Sequence, residues 1–317
     1  MSGLSMIIAG LIAVIILAML FFGIVARKGW FNNGKSDSLF CLDEFEKADN
    51  AEKFLSSNNF YQIYQPILDA KTEKIIGCEA LTRLRDKNLN DIMPEEFLKK
   101  VKSDMLYDVF DMYVLKKCCE WAKQREDKVI AVSCNFSRWT LAGENAAEKI
   151  IQIAEQTDVS PKQIAIEITE DAASAKGEEL KRNIETLKSA GFGIYLDDFG
   201  KAYTSLDDIT KFCPDVIKID KNILYSINEK HGKAVFENII RLAHDIGAKV
   251  LCEGIETRQQ ADAAKEAGCD LLQGFYFHKP MSSDKLDEIL EAADKQNFNS
   301  KNTEDIYGQF PSSRDAA

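Results

Sequence analysis

Histidine is scarce: there are 3 in 317 residues, and His231, His244 and His278 stand far apart with no H-E-x-x-H pattern. That spacing argues against a histidine-based metallohydrolase. The 8 cysteines (Cys41, Cys78, Cys118, Cys119, Cys134, Cys213, Cys252 and Cys269) show no repeated C-x-x-C spacing. A zinc cluster is therefore not expected, and a domain of this size needs no disulfide framework. The thiols read as reduced, buried small hydrophobes. A basic surplus is also missing, since 51 Asp and Glu against 40 Lys and Arg leave a net charge of −11. Such a balance removes general attraction to DNA or RNA polymers. No internal repeat is evident. No nucleotide-binding glycine fingerprint is present either, because Gly191 and Gly193 precede a strand and Leu196 stands where the third glycine should be.

Charge is absent altogether from Met6 to Ala26, and Arg27 and Lys28 follow at once. About 20 apolar residues in helical form span a bilayer. A cleaved secretory signal is the rival, but Met1–Ser5 carries no basic side chain and the apolar run is long for a signal core. Arg27 and Lys28 keep their side of the membrane cytoplasmic. The expectation is a single-pass anchor in the bacterial inner membrane over residues 1–28, with a juxtamembrane linker over 29–59.

From Phe60 onward, short β-rich runs alternate with longer amphipathic patterns. Strands are predicted at Tyr61–Leu68, Ile75–Leu84, Val129–Asn135, Ile164–Ile168, Gly193–Asp197, Val216–Ile219, Val250–Glu253 and Leu271–Phe277. Helices are predicted at Phe110–Lys123, Ala146–Gln156, Glu178–Ala190, Ala234–Ile246 and Arg258–Ala267, with Gly191, Gly247 and Gly268 at helix C-termini. Eight strands alternating with helices over about 230 residues imply a TIM-like (β/α)8 barrel, with an open doubly wound sheet as the rival. The barrel domain is expected over residues 60–291. A polar, disordered tail is expected over 292–317.

Polar residues interrupt the strands in a pattern. Glu79 lies in the second run and Asn135 ends the third; Glu167 and Glu170 end the fourth, and Asp197 and Asp198 the fifth. Lys218 and Asp220 belong to the sixth, Glu253 and Glu256 follow the seventh, and Gln273 lies in the eighth. Barrel active sites sit at the C-terminal strand ends. Singly, each residue could cap a helix or pair with a lysine, and Lys218 with Asp220 could be a mere buried ion pair. Together, so many converging acids repel one another unless cations neutralise them. Oxygen ligands without thiolates or imidazoles suit hard ions such as Mg²⁺ or Mn²⁺, and two of them about 4 Å apart can drive in-line phosphodiester hydrolysis. Adjacent Asp197 and Asp198 at a turn could bridge such a pair, although on a continuing strand they would point to opposite faces.

The ordered set resembles the EAL domain family. It comprises Tyr64-Gln65-Pro66-Ile67, Cys78-Glu79-Ala80-Leu81-Thr82-Arg83-Leu84, Cys134-Asn135-Phe136-Ser137 and Glu167-Ile168-Thr169-Glu170. Asp197-Asp198-Phe199-Gly200, Lys218-Ile219-Asp220, Glu253-Gly254-Ile255-Glu256 and Gln273-Gly274-Phe275 complete it. The resemblance implies a barrel with an antiparallel first strand that hydrolyses cyclic di-GMP to linear pGpG. It further implies that Glu79, Asn135, Glu167, Asp197, Asp198 and Glu253 hold two divalent cations, with Glu79, Glu253 and Lys218 catalytic. Lys218 would position or help deprotonate the attacking water, and Gln273 would hold a water at the metals. Arg83, Gln65 and Leu81 would contact substrate, and Glu170, Asp220 and Glu256 would support the site. A homodimer is implied on the same basis. One departure stands out: Lys201-Ala202-Tyr203-Thr204-Ser205-Leu206 occupies the place of a Thr-Gly-Tyr-Ser-Ser-Leu loop. Ala202 removes access to positive φ and Lys201 adds charge, which keeps open a second reading as a catalytically weak cyclic di-GMP receptor signalling to a membrane partner.

Overall fold

The computed structural model describes residues 54–55, 59–86, 88–125, 130–169, 177–201, 206–229 and 231–299. The apolar segment Met6–Ala26, most of the linker, Cys41, Glu170 and the stretch 202–205 lie outside the described residues. Among the described residues, no helix is long and apolar enough to cross a membrane.

Among the described residues nine strands are formed: β1 (Asn59–Asp69), β2 (Ile75–Arg85), β3 (Asp91–Ile92), β4 (Ala131–Phe136), β5 (Ile164–Ile168), β6 (Gly193–Phe199), β7 (Val216–Ile219), β8 (Lys249–Cys252) and β9 (Leu271–Leu272). Their order is β1-β9-β8-β7-β6-β5-β4-β2-β3, and β1 also pairs with β2. That last pairing closes eight strands into a barrel and leaves the short β3 as an appendage on β2. The first strand runs antiparallel to both neighbours, β2 and β9, while the other barrel pairs are parallel. Closure removes the sheet edges that an open doubly wound sheet would keep.

The helices are α1 (Pro94–Ser103), α2 (Tyr107–Lys123), α3 (Arg138–Leu141), α4 (Ala146–Gln156), α5 (Gly177–Ala190), α6 (Leu206–Phe212), α7 (Lys221–Tyr225), α8 (Gly232–Asp245), α9 (Arg258–Ala267) and α10 (Ser283–Asn299). All five amphipathic patterns form helices close to their predicted bounds. For α9 the stop and start signals are plain. Thr257 and Gln260 form a capping box at its start, and Gly268 ends it at φ 98°. Three expectations need correction. The last strand stops at Leu272, because at Gly274 the chain passes so close to Ile255 that a Cβ would lie 2.1 Å from the Ile255 carbonyl oxygen. A turn follows, closed by His278 N–H donating to the Gly274 carbonyl at 3.0 Å. Cys213 is exposed at the end of α6, unlike the other described cysteines. Finally, α10 continues to Asn299, past the point where polar composition suggests a tail.

The barrel interior has two layers, set by the two-residue period of each strand. The lower layer is apolar and comprises Ile67, Ala165, Tyr195, Val216, Leu251 and Leu271. Two residues further along their strands, towards the C-terminal ends, come Glu167 after Ala165, Asp197 after Tyr195, Lys218 after Val216, Glu253 after Leu251 and Gln273 after Leu271. The polar site thus rests on a packed floor and cannot sink into it.

A buried ion pair ties two rim segments together. Arg138, at the start of α3, donates to both oxygens of Asp208 in α6 at 2.9 and 3.0 Å, and its Nε donates to the Thr169 carbonyl at 3.2 Å. Their side chains are only 9% and 8% exposed. Breaking such a pair leaves a buried charge unmatched, which costs about 3–5 kcal/mol. Asp208→Ala is therefore expected to lose about that much stability in urea denaturation. A loss under about 1 kcal/mol would place the pair in the class of screened surface bridges.

Candidate active site

The site is built on Lys218, in the middle of β7. Its side chain is 1% exposed, and its ammonium lies 2.7 Å from Glu167 Oε2, 2.8 Å from Glu253 Oε1, 3.1 Å from Asp197 Oδ1 and 3.5 Å from Glu79 Oε2. These four acids come from β5, the end of β8, β6 and β2. Glu79 is tied further by Asn135 Nδ2, which donates to its Oε1 at 3.2 Å, and by Gln273 Nε2, which donates to its Oε2 at 3.0 Å. Seven residues from seven strands or strand ends are thereby joined in one network at the mouth.

Asp198 joins them through a backbone irregularity. On β7, Ile217 and Ile219 are two residues apart, while their partners Leu196 and Phe199 on β6 are three apart. The extra residue is accommodated with Asp198 in the left-handed region at φ 53°. A regular strand would send adjacent aspartates to opposite faces. Here, ligand oxygens of Asp197, Asp198 and Glu253 all lie within 4.8 Å of one another. Asp220 is buried just beyond β7, where one oxygen accepts from Asn222 N–H at 2.9 Å to cap α7.

The substrate-side residues are less tightly bound into this network. Gln65 stands opposite Glu79 in the β1–β2 ladder, and its Nε2 donates to the His278 carbonyl at 3.3 Å. Leu81 and Arg83 follow Glu79 at two-residue spacing towards the C-terminal end of β2, so all three share one strand face. Arg83 donates to the Thr82 carbonyl at 2.9 Å. Glu256 does not join the acids: it is exposed, and its partner is Tyr225. Glu170 lies outside the described residues. Two residues at the site escaped the sequence reading. Arg138 and Asp208 stand 70 positions apart, and no local signal links them. Lys201 is more than added charge, since it reaches Asp198 at 2.6 Å and Asp220 at 3.4 Å.

Electrostatics follow from this crowding. Burial, then the Glu79 charge, pushes the Glu167 carboxyl well above the usual range, while Lys218 pulls it down. Glu253 is pushed up to about 8, chiefly by desolvation, against the pull of Lys218. Asp198 is raised by desolvation and by its neighbour Asp197. For Lys218, burial works against the charged form, but the attraction of Asp197, Glu167, Glu253 and Glu79 outweighs it and keeps the ammonium charged.

The residues fit a divalent cation. Four carboxylates face the buried Lys218, and, among the described residues, two buried acceptors, Glu167 Oε1 and Gln273 Oε1, have no hydrogen-bond partner. A buried carboxylate oxygen without a donor is costly unless a cation meets it. An all-oxygen donor set suits hard cations. Because a ligand carboxylate must shed its proton, and burial raises both Glu253, to about 8, and Glu167, Mn²⁺ affinity should rise with pH through the range in which these acids ionise. Calorimetry across that range, in buffers of different ionisation enthalpy, checks both the trend and the proton release. Affinity independent of pH would remove Glu253 from the ligand set.

Comparison with known proteins agrees with this geometry. Residues 48–280 match the EAL domain family. The biofilm architecture maintenance protein MbaA of Vibrio cholerae is 31% identical over 274 residues, covering 83% of this chain and 34% of that protein. Cyclic di-GMP phosphodiesterase NbdA of Pseudomonas aeruginosa is 27% identical over 255 residues, covering 78% of this chain and 32% of its own length. The chain thus spans about a third of these curated relatives. Among solved structures, the PaMucR phosphodiesterase in its c-di-GMP complex aligns with a TM-score of 0.68 at 25% identity, covering 76% of this chain and 99% of that one. A standalone EAL protein from Vibrio cholerae O395, in its c-di-GMP-bound form, aligns at 0.62 with 27% identity, covering 71% and 94%. With an acid-lined barrel mouth, a reversed first strand and a family match over most of its length, this chain belongs to the EAL domain family.

Proposed function

We propose that the chain hydrolyses cyclic di-GMP to linear pGpG with the help of two divalent cations, Mg²⁺ or Mn²⁺. The observation that carries this is the convergence of Glu79, Glu167, Asp197 and Glu253 on the buried Lys218, with Glu167 Oε1 left without a partner. Relatives named or solved as cyclic di-GMP phosphodiesterases supply the substrate. Glu79, Asn135, Glu167, Asp197, Asp198 and Glu253 would hold the cations, which lower the pKa of water and offset phosphate charge.

The chain's own groups have separable tasks. Lys218 is an ammonium donor, so it can orient a water or stabilise developing negative charge on a phosphate oxygen. As it stands, it carries no free lone pair with which to take a proton. Gln273 and Asn135 fix the rotamer of Glu79 by donating to both of its oxygens. Arg83, at the outer end of β2, offers a phosphate-binding fork to a substrate that an acidic surface would otherwise repel. Gln65 and Leu81 would line the same approach. One observation favours the alternative of a weak cyclic di-GMP receptor: the Lys201 ammonium already occupies Asp198. Placement at the inner membrane, single-pass and with the barrel in the cytoplasm, is proposed from the Met6–Ala26 segment and the Arg27-Lys28 flank alone.

Incubating the chain with cyclic di-GMP and Mn²⁺, and following product by chromatography, distinguishes these readings. Linear pGpG that vanishes on chelation is the expected result. Glu79→Ala and Lys218→Met should each lower kcat by about 100-fold or more while leaving the circular dichroism spectrum in place. Unchanged rates in both variants would sink the assignment of this site. Tight binding without product would favour the receptor.

A further inference from the structure

Two lysines neutralise the acids at the barrel mouth, and they differ in kind. Lys218 is sealed inside the barrel at 1% side-chain exposure among four carboxylates. Lys201 stands on the rim at 39% exposure, with its ammonium 2.6 Å from Asp198 Oδ1 and 3.4 Å from Asp220 Oδ2.

Both of its partners are held still. Asp198 is locked in the left-handed kink of β6, and Asp220 is fixed by capping α7 while its side chain remains 6% exposed. The turn that brings Lys201 back over them is also constrained. Gly200 adopts φ 106°, and a Cβ there would lie 2.0 Å from Ile223 Cδ1. Lys201 N–H then donates to the Asp198 carbonyl at 3.1 Å. Two fixed carboxylates therefore face one flexible cation on a four-carbon stem.

We infer that Lys201 is a displaceable internal counter-ion: it holds Asp198 and Asp220 until a divalent cation takes Asp198, and so raises the metal concentration at which the site fills. This rests on the reading of Asp198 as a metal ligand. The physical basis is competition. A half-exposed ammonium–carboxylate pair is worth little in water, whereas a divalent ion brings twice the charge and also reaches Asp197 and Glu253, whose oxygens lie within 4.8 Å of those of Asp198. Displacement is favourable, but it must first break two ion contacts and move a like charge away from the incoming ion. Because the cation belongs to the chain, its local concentration is fixed, and the threshold is built into the protein.

The test measures Mn²⁺ binding to the full chain, by electron paramagnetic resonance of free Mn²⁺, for the native protein, Lys201→Gln, Lys201→Arg and Asp198→Asn. Lys201→Gln is expected to bind Mn²⁺ about threefold tighter or better, and Lys201→Arg to bind like the native chain. The metal-free thermal midpoint should fall in Lys201→Gln, and its rise on adding Mn²⁺ should exceed that of the native protein. Equal or weaker binding by Lys201→Gln, with binding lost in Asp198→Asn, would overturn the counter-ion role and leave the metal site standing. Full binding by Asp198→Asn would overturn it by removing Asp198 from the site. If neither the native chain nor Lys201→Gln binds Mn²⁺, the inference and the metal reading fall together.

Discussion

One buried ammonium makes this barrel mouth possible. Glu79, Glu167, Asp197 and Glu253 all come within 3.5 Å of Lys218 Nζ. Like charges about 4 Å apart repel by about 4 kcal/mol each at an effective dielectric of 20, so four acids could not share this volume without a cation among them. Lysine alone does not finish the task, since one positive charge faces four carboxylates and Glu167 Oε1 is left unmet. The remaining imbalance is what suits the site to a divalent cation. Structure and chemistry thus meet here: the charge that strains the barrel mouth is the charge proposed to hold divalent cations.

The architecture delivers this charge with little local ingenuity. Parallel strands alternate inward and outward, so an apolar floor and an acidic ceiling follow from residues two apart. The apolar layer of Ala165, Tyr195, Val216 and Leu251 fixes the height at which the acids begin. One local departure from regularity matters. The extra residue between Leu196 and Phe199 turns Asp198 onto the side of Asp197. The bond network around the rim, with Arg138 on Asp208 and Asp220 capping α7, then holds the segments that carry these side chains.

Much of this was legible beforehand, and the reason is physical. Strand and helix periods are local, so eight strand runs and five helices could be read from the chain, and polar residues interrupting apolar strands marked the mouth. Boundaries failed where a tertiary contact ends an element. The last strand stops at Leu272 because the Ile255 backbone crowds Gly274, and no property of Phe275–Phe277 announces that. Glu256 shares its spacing with the acids but not their surroundings, since it turns outward to Tyr225. Lys201 shows the limit from the other side. Its charge was visible in the sequence, but its reach to Asp198 and Asp220 depends on a turn at Gly200 and on a cap 19 residues later.

From the order of residues came the residue types, their sequence along the barrel and the demand for a hard cation. Those depend on composition and on periods of two and 3.6 residues, which need no neighbours to be read. Folding settled everything that depends on distance between strands: that Lys218 stands among four acids and not in a pair with Asp220, that Asp197 and Asp198 face the same way, and that Lys201 meets Asp198. Electrostatic energy varies with separation over a few ångströms, and only the closed barrel sets those separations.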